Sequence, residues 1–144
     1  MKVHEANQAA RDIATLRPFI GRSQLATMAK LAKGEEGEHF RAKLSEMAEI
    51  VRTMPKTYEQ DGKGDQAIAY LHYFRGGMDW HITEKDAETE DAPGQLQAFG
   101  LCDLGYGPEL GYVSIDELTA QGVELDLYWT PATIGEIRKA QAVA

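Results

Sequence analysis

The chain has 144 residues, a formal net charge of −8 at pH 7 and one cysteine, Cys102. This length fits one domain with its own hydrophobic core, and a single cysteine excludes an internal disulfide, as is usual in a reducing compartment. No apolar run approaches the roughly 20 residues of a membrane span, and residues 1–14 lack the apolar core of a signal peptide, so we expect a cytoplasmic protein without membrane contact.

Three amphipathic helices are predicted at the start of the chain. The first covers residues 5–16 and is limited by Pro18, and the second is expected to start at the cap residue Ser23 and to stop at Gly34. The third has the strongest pattern, because its apolar residues form one continuous helical stripe that is closed by Pro55. The residues of this stripe are Phe40, Leu44, Met47, Val51 and Met54.

A β-hairpin is predicted for residues 67–86. In residues 78–83 apolar and polar side chains alternate strictly, which indicates a strand with one buried face and one wet face. Residues 67–74 are apolar on both faces, which is typical of an inner strand. The pair Gly76–Gly77 between them fits the tight turn of an antiparallel hairpin.

The rest of the chain is predicted to alternate short strands with short helices. Residues 84–94 have no apolar side chain larger than alanine and are expected to form an exposed, mobile loop. A short helix is expected to start at the cap residue Ser114, and a last helix at Thr130 with Pro131 in its first turn. Further strands are expected at residues 95–101, 110–115 and 125–129.

Together these elements predict the α+β fold class and a single domain, residues 1–144. A helical part, residues 1–55, would pack on a sheet-containing part, residues 56–144. The sheet is expected to be mainly antiparallel, with about five strands and short helical connections. We find no internal repeat and no linker long enough to separate two domains.

Negative charge is concentrated in residues 76–131, here called the acidic segment, which contain twelve acidic residues and one basic residue, Lys85. Such a field repels a phosphate backbone and attracts a basic surface, so we expect a basic protein partner and no nucleic acid bound directly through this segment. Carboxylates spaced along strands and a loop could imitate the phosphates of DNA and steer such a partner. The residues expected to bind it are Glu84, Asp86, Glu88, Glu90, Asp91, Asp103, Glu109, Glu124 and Asp126. The aromatic residues that could anchor it are Trp80, Tyr106, Tyr112 and Trp129.

An enzyme is the alternative interpretation. A small hydrolase or a nucleotide-modifying enzyme could use His72 or His81 with neighbouring carboxylates such as Glu84 and Asp86. This alternative predicts that the side chains converge in one pocket and that a pKa there is strongly shifted. Neither an HExxH motif nor a cysteine pair indicates a metal, and we expect no cofactor.

Cys102 and the two tryptophans suggest less specific roles. Cys102 lies beside Asp103, but no histidine is close in sequence to activate it, so we interpret it as a structural thiol.

A dimeric scaffold is a third interpretation of the function. In it, an apolar patch around Trp80 or Trp129 would be matched across a two-fold axis.

Three blocks of the sequence resemble those of a known family. They are DWHITEKD (79–86), ELGYVSIDEL (109–118) and ELDLYWTP (124–131). Over about residues 54–131 the chain resembles the family catalogued as domain of unknown function twenty-nine fifty-eight. The resemblance implies a setting on bacterial plasmids and phages, and it brings no established catalytic residues. Genes in that setting often protect an incoming element from host defence. The resemblance therefore also implies a non-enzymatic protein of the anti-CRISPR or antirestriction type. Its partner would be a host nuclease or a CRISPR component.

Overall fold

A computed structural model describes residues 1–143, in which three helices precede the sheet. They are α1 (Val3–Leu16), α2 (Arg22–Leu31) and α3 (Gly37–Thr53). The stripe predicted on the third helix is confirmed, because Leu44, Met47 and Val51 are buried in the main hydrophobic core. Apolar residues at helical spacing therefore pack α3 on the rest of the molecule.

The predicted ends of the second helix are wrong. This helix begins after Gly21 and ends at Leu31, so Ser23 lies inside its first turn and Gly34 lies beyond its end. A Cβ atom at position 21 would come within 3.3 Å of the carbonyl oxygen of Thr119. The start of α2 is therefore set by close contact with a distant part of the chain, which a local cap pattern does not indicate.

Seven strands lie within the described residues, in two sheets. They are β1 (Ile68–Ala69), β2 (Leu71–Arg75), β3 (Met78–Glu84), β4 (Ala98–Asp103), β5 (Pro108–Val113), β6 (Glu124–Leu125) and β7 (Ala132–Thr133). Strands β2 to β6 form an antiparallel sheet in the order β5-β4-β3-β2-β6, and β1 pairs with β7. The predicted hairpin is confirmed as β2 and β3, in which His72 lies opposite His81.

Two further helices, α4 (Ile115–Ala120) and α5 (Ile134–Ala142), complete the predicted α+β fold. Ser114 is confirmed as the cap of α4, because its hydroxyl accepts a hydrogen bond from the Glu117 N–H at 3.2 Å. The predicted start of the last helix at Thr130 is wrong. Thr133 caps α5 instead, with its hydroxyl accepting from the Glu136 N–H at 3.1 Å and its own N–H donating to the Glu136 carboxylate. No helix in residues 1–143 is both long and apolar enough to cross a membrane.

Two of the predicted strands are interrupted. Residues 67–74 divide at Tyr70, because β1 leaves the large sheet to pair with β7. Residues 125–129 are a strand only as far as Leu125. Beyond it, the Asp126 carboxylate accepts a hydrogen bond from the Tyr128 N–H at 3.0 Å, which holds the chain in a turn.

The two faces of the large sheet are covered by different parts of the chain. On one face Trp80 and Ile82 pack with the N-terminal helices in the main core. On the other face Leu101 packs with Ile137 of α5 in a second, smaller core. The expectation of a wet face on β3 is therefore wrong at His81, whose exposed fraction is only 6%. This second face carries the candidate site.

Candidate functional site

His72 lies on β2 between two carboxylates. Its Nε2 is 2.6 Å from Oδ1 of Asp79, and its Nδ1 is 3.1 Å from Oδ2 of Asp126. Asp79 follows the hairpin turn on the same face of the sheet, and the Asp126 N–H donates to the His72 carbonyl at 2.8 Å. Because an ionised carboxylate only accepts hydrogen bonds, both contacts are made together when the imidazole carries both protons. The ring is then fixed from both sides, and neither nitrogen is free for another group.

His81 stacks on His72, with the ring centroids 4.4 Å apart and the planes inclined by 7°. Its Nδ1 is buried and has no hydrogen-bond partner among the described residues. Burial and, after it, the adjacent His72 together lower the pKa of His81 from 6.5 to about 4, against the opposing effect of Asp79 and Asp126. The His81 ring is therefore neutral at pH 7 and has unused hydrogen-bonding capacity.

Trp129 and α5 enclose a cavity beside the two histidines, here called the α5 cavity. The Trp129 ring centroid lies 5.2 Å from that of His72 and 5.1 Å from that of His81, and its indole N–H donates to the Ala69 carbonyl at 3.1 Å. The cavity volume is about 330 Å³. This is at the lower end of the range of small-ligand sites. The polar side chains that line it are His72, Asp79, His81, Glu136 and Gln141.

The lining of the α5 cavity limits the chemistry that it can support. Among the described residues, no serine, threonine, cysteine or lysine lines it, and the carboxylates of Asp79 and Glu136 are the nucleophiles that it presents beside the histidines. His72 has both nitrogens occupied, and the low pKa of His81 makes that ring a weak base at neutral pH. Within residues 1–143 no three His, Cys, Asp or Glu side chains are grouped in a way that could hold a metal ion.

The carboxylates that the sequence placed near His81 do not join it. Glu84 accepts hydrogen bonds from the Tyr58 N–H at 2.8 Å and from the Thr83 hydroxyl at 2.6 Å. Asp86 accepts from the main-chain N–H groups of residues 96 and 97, at 3.2 and 2.9 Å. An irregularity in the pairing of β3 with β4 between Ile82 and Glu84 turns this end of the strand away from the histidines.

One residue of the predicted partner-binding set is inside the protein. Glu84 is 4% exposed and both its oxygens accept hydrogen bonds, so its place in an acidic surface was predicted wrongly. Strict alternation alone indicates this burial, because Glu84 has the same parity as Trp80 and Ile82 on the buried face of β3. The carboxylates of Asp86 and Glu88 fold the loop by accepting main-chain N–H groups, and Asp103 does the same for the N–H of Gly105.

The other acidic residues lie at three places on the molecule. Glu90 and Asp91 are exposed in the loop that follows β3. Glu109 is exposed on the edge strand β5, and Glu124 is exposed on β6 at the opposite edge of the sheet. In the described residues, no carboxylate of the acidic segment lies within 4.0 Å of a lysine or arginine nitrogen. This negative charge is therefore not neutralised by the helical part.

The four predicted aromatic anchors separate into two groups. Trp80 is 8% exposed in the main core, so its prediction as a surface anchor is wrong, and Trp129 is half-buried beside the α5 cavity. Trp80 therefore cannot supply the apolar surface patch of the dimeric scaffold, and a patch around Trp129 stays a prediction. Tyr106 is 96% exposed, and Tyr112 is 57% exposed with its hydroxyl 2.7 Å from that of Tyr58.

Part of the α5 cavity could have been found from the sequence. A two-residue turn at Gly76–Gly77 pairs residue 75 with residue 78, and the same register places His72 opposite His81. The register also brings Asp79 to the face of the two histidines. The contributions of Asp126 and of α5 had no local signal, because both depend on long-range contacts.

The fold and the site together define a small α+β protein in which a C-terminal helix closes a cavity on one face of an antiparallel sheet. The family described as "Protein of unknown function (DUF2958)" matches residues 39–133, about two thirds of the chain. The chain belongs to this family, which confirms the resemblance and extends it toward the N-terminus as far as α3. Neither the comparison with curated proteins nor that with solved structures found a match.

Proposed function

We propose that this protein binds a basic protein partner through the exposed carboxylates of its acidic segment, without catalysing a reaction. The observation that carries the proposal is that none of these carboxylates pairs with lysine or arginine in residues 1–143. Unpaired charge of one sign raises the rate at which an oppositely charged surface is encountered, and it costs stability through self-repulsion. Basic partners that bind DNA carry the complementary charge.

The biological setting of the proposal comes from the family. The resemblance implies an accessory protein of phages or plasmids that counteracts host defence, of the anti-CRISPR or antirestriction type. A nuclease or CRISPR component offers the basic, DNA-binding surface that an acidic protein could occupy as a DNA mimic. In this proposal the mobile-element setting rests on the family likeness, and the mode of binding rests on charge.

A pair of matched charge reversals tests the mode of binding. Glu90→Lys/Asp91→Lys changes two adjacent exposed carboxylates in the acidic segment, and Glu35→Lys/Glu36→Lys makes the same change in charge on the helical part. A partner is first isolated from a host that carries its defence systems and is then purified. Its dissociation constant for each variant is measured at low and at moderate salt.

The reversal at Glu90 and Asp91 is expected to weaken binding at least about fivefold at low salt, because exposed ion pairs contribute up to about 1 kcal/mol each. The difference should shrink as salt screens the charges. The variant at Glu35 and Glu36 should bind like the unchanged protein. Equal weakening by both variants would show that net charge alone is sensed, and no weakening by either would refute the proposal.

The α5 cavity supports a second role, the recognition of a small chemical group. His72 and His81 do converge in one pocket with a shifted pKa at His81, as the enzyme alternative required. The described lining residues include no serine, threonine, cysteine or lysine, and both nitrogens of His72 are occupied, which favours recognition over hydrolysis or nucleotide modification.

A further inference from the structure

The α5 cavity offers more hydrogen-bond acceptors than donors. Oδ1 of Asp79 accepts from His72 and Oε1 of Glu136 accepts from Thr133, which leaves the second oxygen of each carboxylate without a bond in the described residues. A ligand that pairs with these two carboxylate oxygens brings donors of its own.

The charge of the cavity favours a cation. Asp79 and Glu136 contribute two carboxylates to its lining, and Asp126 lies outside the lining, 3.1 Å from Nδ1 of His72. No lysine or arginine of the described residues lines the cavity. Arg138, which is also on α5, has its Nε 3.2 Å from the Asp65 carboxylate. A phosphate or carboxylate ligand would therefore be repelled.

The aromatic wall favours a flat cation over a compact one. Trp129 lines the cavity together with the stacked pair of His72 and His81. A guanidinium is planar, stacks on aromatic rings, carries five N–H donors and binds carboxylates through two parallel hydrogen bonds. An ammonium has three donors and is more strongly hydrated, so it gains less from such a site.

From this combination we infer that the α5 cavity binds a guanidinium group. Asp79 and Glu136 accept its N–H donors, and Trp129 covers its face. The His81 ring, which is 6% exposed, forms part of the wall of the site. The group can belong to a small molecule or to an arginine side chain of a protein. The inference is tested separately from partner binding, because it concerns a cavity that a small probe can occupy.

The test is a titration of the ¹⁵N-labelled full chain with ethylguanidinium, followed by NMR at constant ionic strength. The indole N–H signal of Trp129, assigned by its loss in Trp129→Phe, reports on the cavity wall. Ethylammonium serves as the matched probe with the same charge. Saturable shifts with ethylguanidinium and at least fivefold weaker binding of ethylammonium are expected. Equal binding of the two probes, or shifts that do not saturate, would overturn the inference.

Variants then locate the bound group. Glu136→Gln removes a carboxylate of the cavity lining and should weaken ethylguanidinium at least threefold, and Asp79→Asn should weaken it at least tenfold. Glu117→Gln makes the same change at an exposed glutamate outside the cavity and should have no effect. If Asp79→Asn does not fold, Glu136→Gln decides the test alone, and unchanged binding by Glu136→Gln would then overturn the inference.

Two further probes distinguish the source of the group. Free arginine and a short neutral-ended peptide with one central arginine are titrated in the same way. Tighter binding of the peptide assigns the site to an arginine side chain of a protein, whereas tighter binding of free arginine assigns it to a small molecule. Failure of both, with ethylguanidinium also inactive, would refute guanidinium binding and leave partner binding by the acidic segment to its own experiment.

Discussion

Replacing His81 by phenylalanine should remove part of the sensitivity of this protein to acid. Burial, with the adjacent His72, lowers the pKa of His81 from 6.5 to about 4. Between these two pH values the unfolded chain binds a proton at this position and the folded protein does not. The free energy of unfolding therefore falls as the pH drops from about 6.5 to about 4, and this contribution is fully present above pH 6.5.

The size of the effect follows from the shift in pKa. Each unit corresponds to about 1.4 kcal/mol, so a change from 6.5 to about 4 gives at most about 3 kcal/mol, less where water reaches the ring through the cavity. Phenylalanine keeps an aromatic ring against His72 but cannot be protonated. Between pH 7 and pH 4 the free energy of unfolding of the unchanged protein should therefore fall by up to about 3 kcal/mol more than that of His81→Phe.

Urea unfolding, followed by circular dichroism at several pH values between 7 and 4, measures this difference. His4→Gln is the control, because His4 is exposed on α1 and its loss should leave the pH dependence unchanged. The same pH dependence in His81→Phe and in the unchanged protein would refute the reasoning. If His81→Phe is too unstable to measure, NMR titration of the His81 ring in the unchanged protein decides, and a pKa near 6 or above would contradict the prediction.

The strand β4 provides two further predictions. Gly100→Ala is expected to destabilise the protein by about 3 kcal/mol in urea unfolding, because the added Cβ would collide with the carbonyl oxygen of His81. Gly111 lies opposite Gly100 on β5, and a Cβ there meets no atom within 4 Å, so Gly111→Ala should change stability by less than about 0.5 kcal/mol. Equal effects of the two substitutions would contradict the register. Burial raises the pKa of Cys102 from 9.0 to about 11, so less of the thiol is ionised in the folded protein. Iodoacetamide at pH 8 should therefore alkylate the folded protein about 100-fold more slowly than the urea-unfolded chain. Similar rates would show that the thiol is not buried as described.

Local patterns predicted the parts of the fold that depend on local contacts. The stripe on α3 was correct because Leu44, Met47 and Val51 recur at the helical period whatever they pack against. The hairpin was correct because a glycine pair sets the turn and the turn sets the register. The α+β class followed from the order of these elements.

Features that depend on distant contacts were not predicted. Alternation along β3 shows which residues share a face, but it cannot show that α5, some fifty residues later, covers that face and buries His81. The division of the first strand has the same origin, because β1 pairs with β7 at the far end of the chain. One error was avoidable, since Thr133 and Glu136 have the spacing of a capping box in the sequence.

Some cations of the helical part are held within that part. Three of its nine lysines and arginines pair with its own carboxylates: Arg41 with Glu5, Lys43 with Glu46, and Arg52 with the buried Asp12 at 3.0 Å. They are thus unavailable to the carboxylates of the acidic segment.

Salt separates the two proposed binding modes. Exposed carboxylates act through solvent, where the screening length falls from about 10 Å at 0.1 M salt to about 3 Å at 1 M, so partner binding should weaken steeply as salt is added. A guanidinium in the α5 cavity would touch its acceptors Asp79 and Glu136 directly, so its binding should weaken less. A partner that inserts an arginine there would keep a salt-resistant component of its affinity, and that component should decrease in Glu136→Gln but persist in Glu90→Lys/Asp91→Lys.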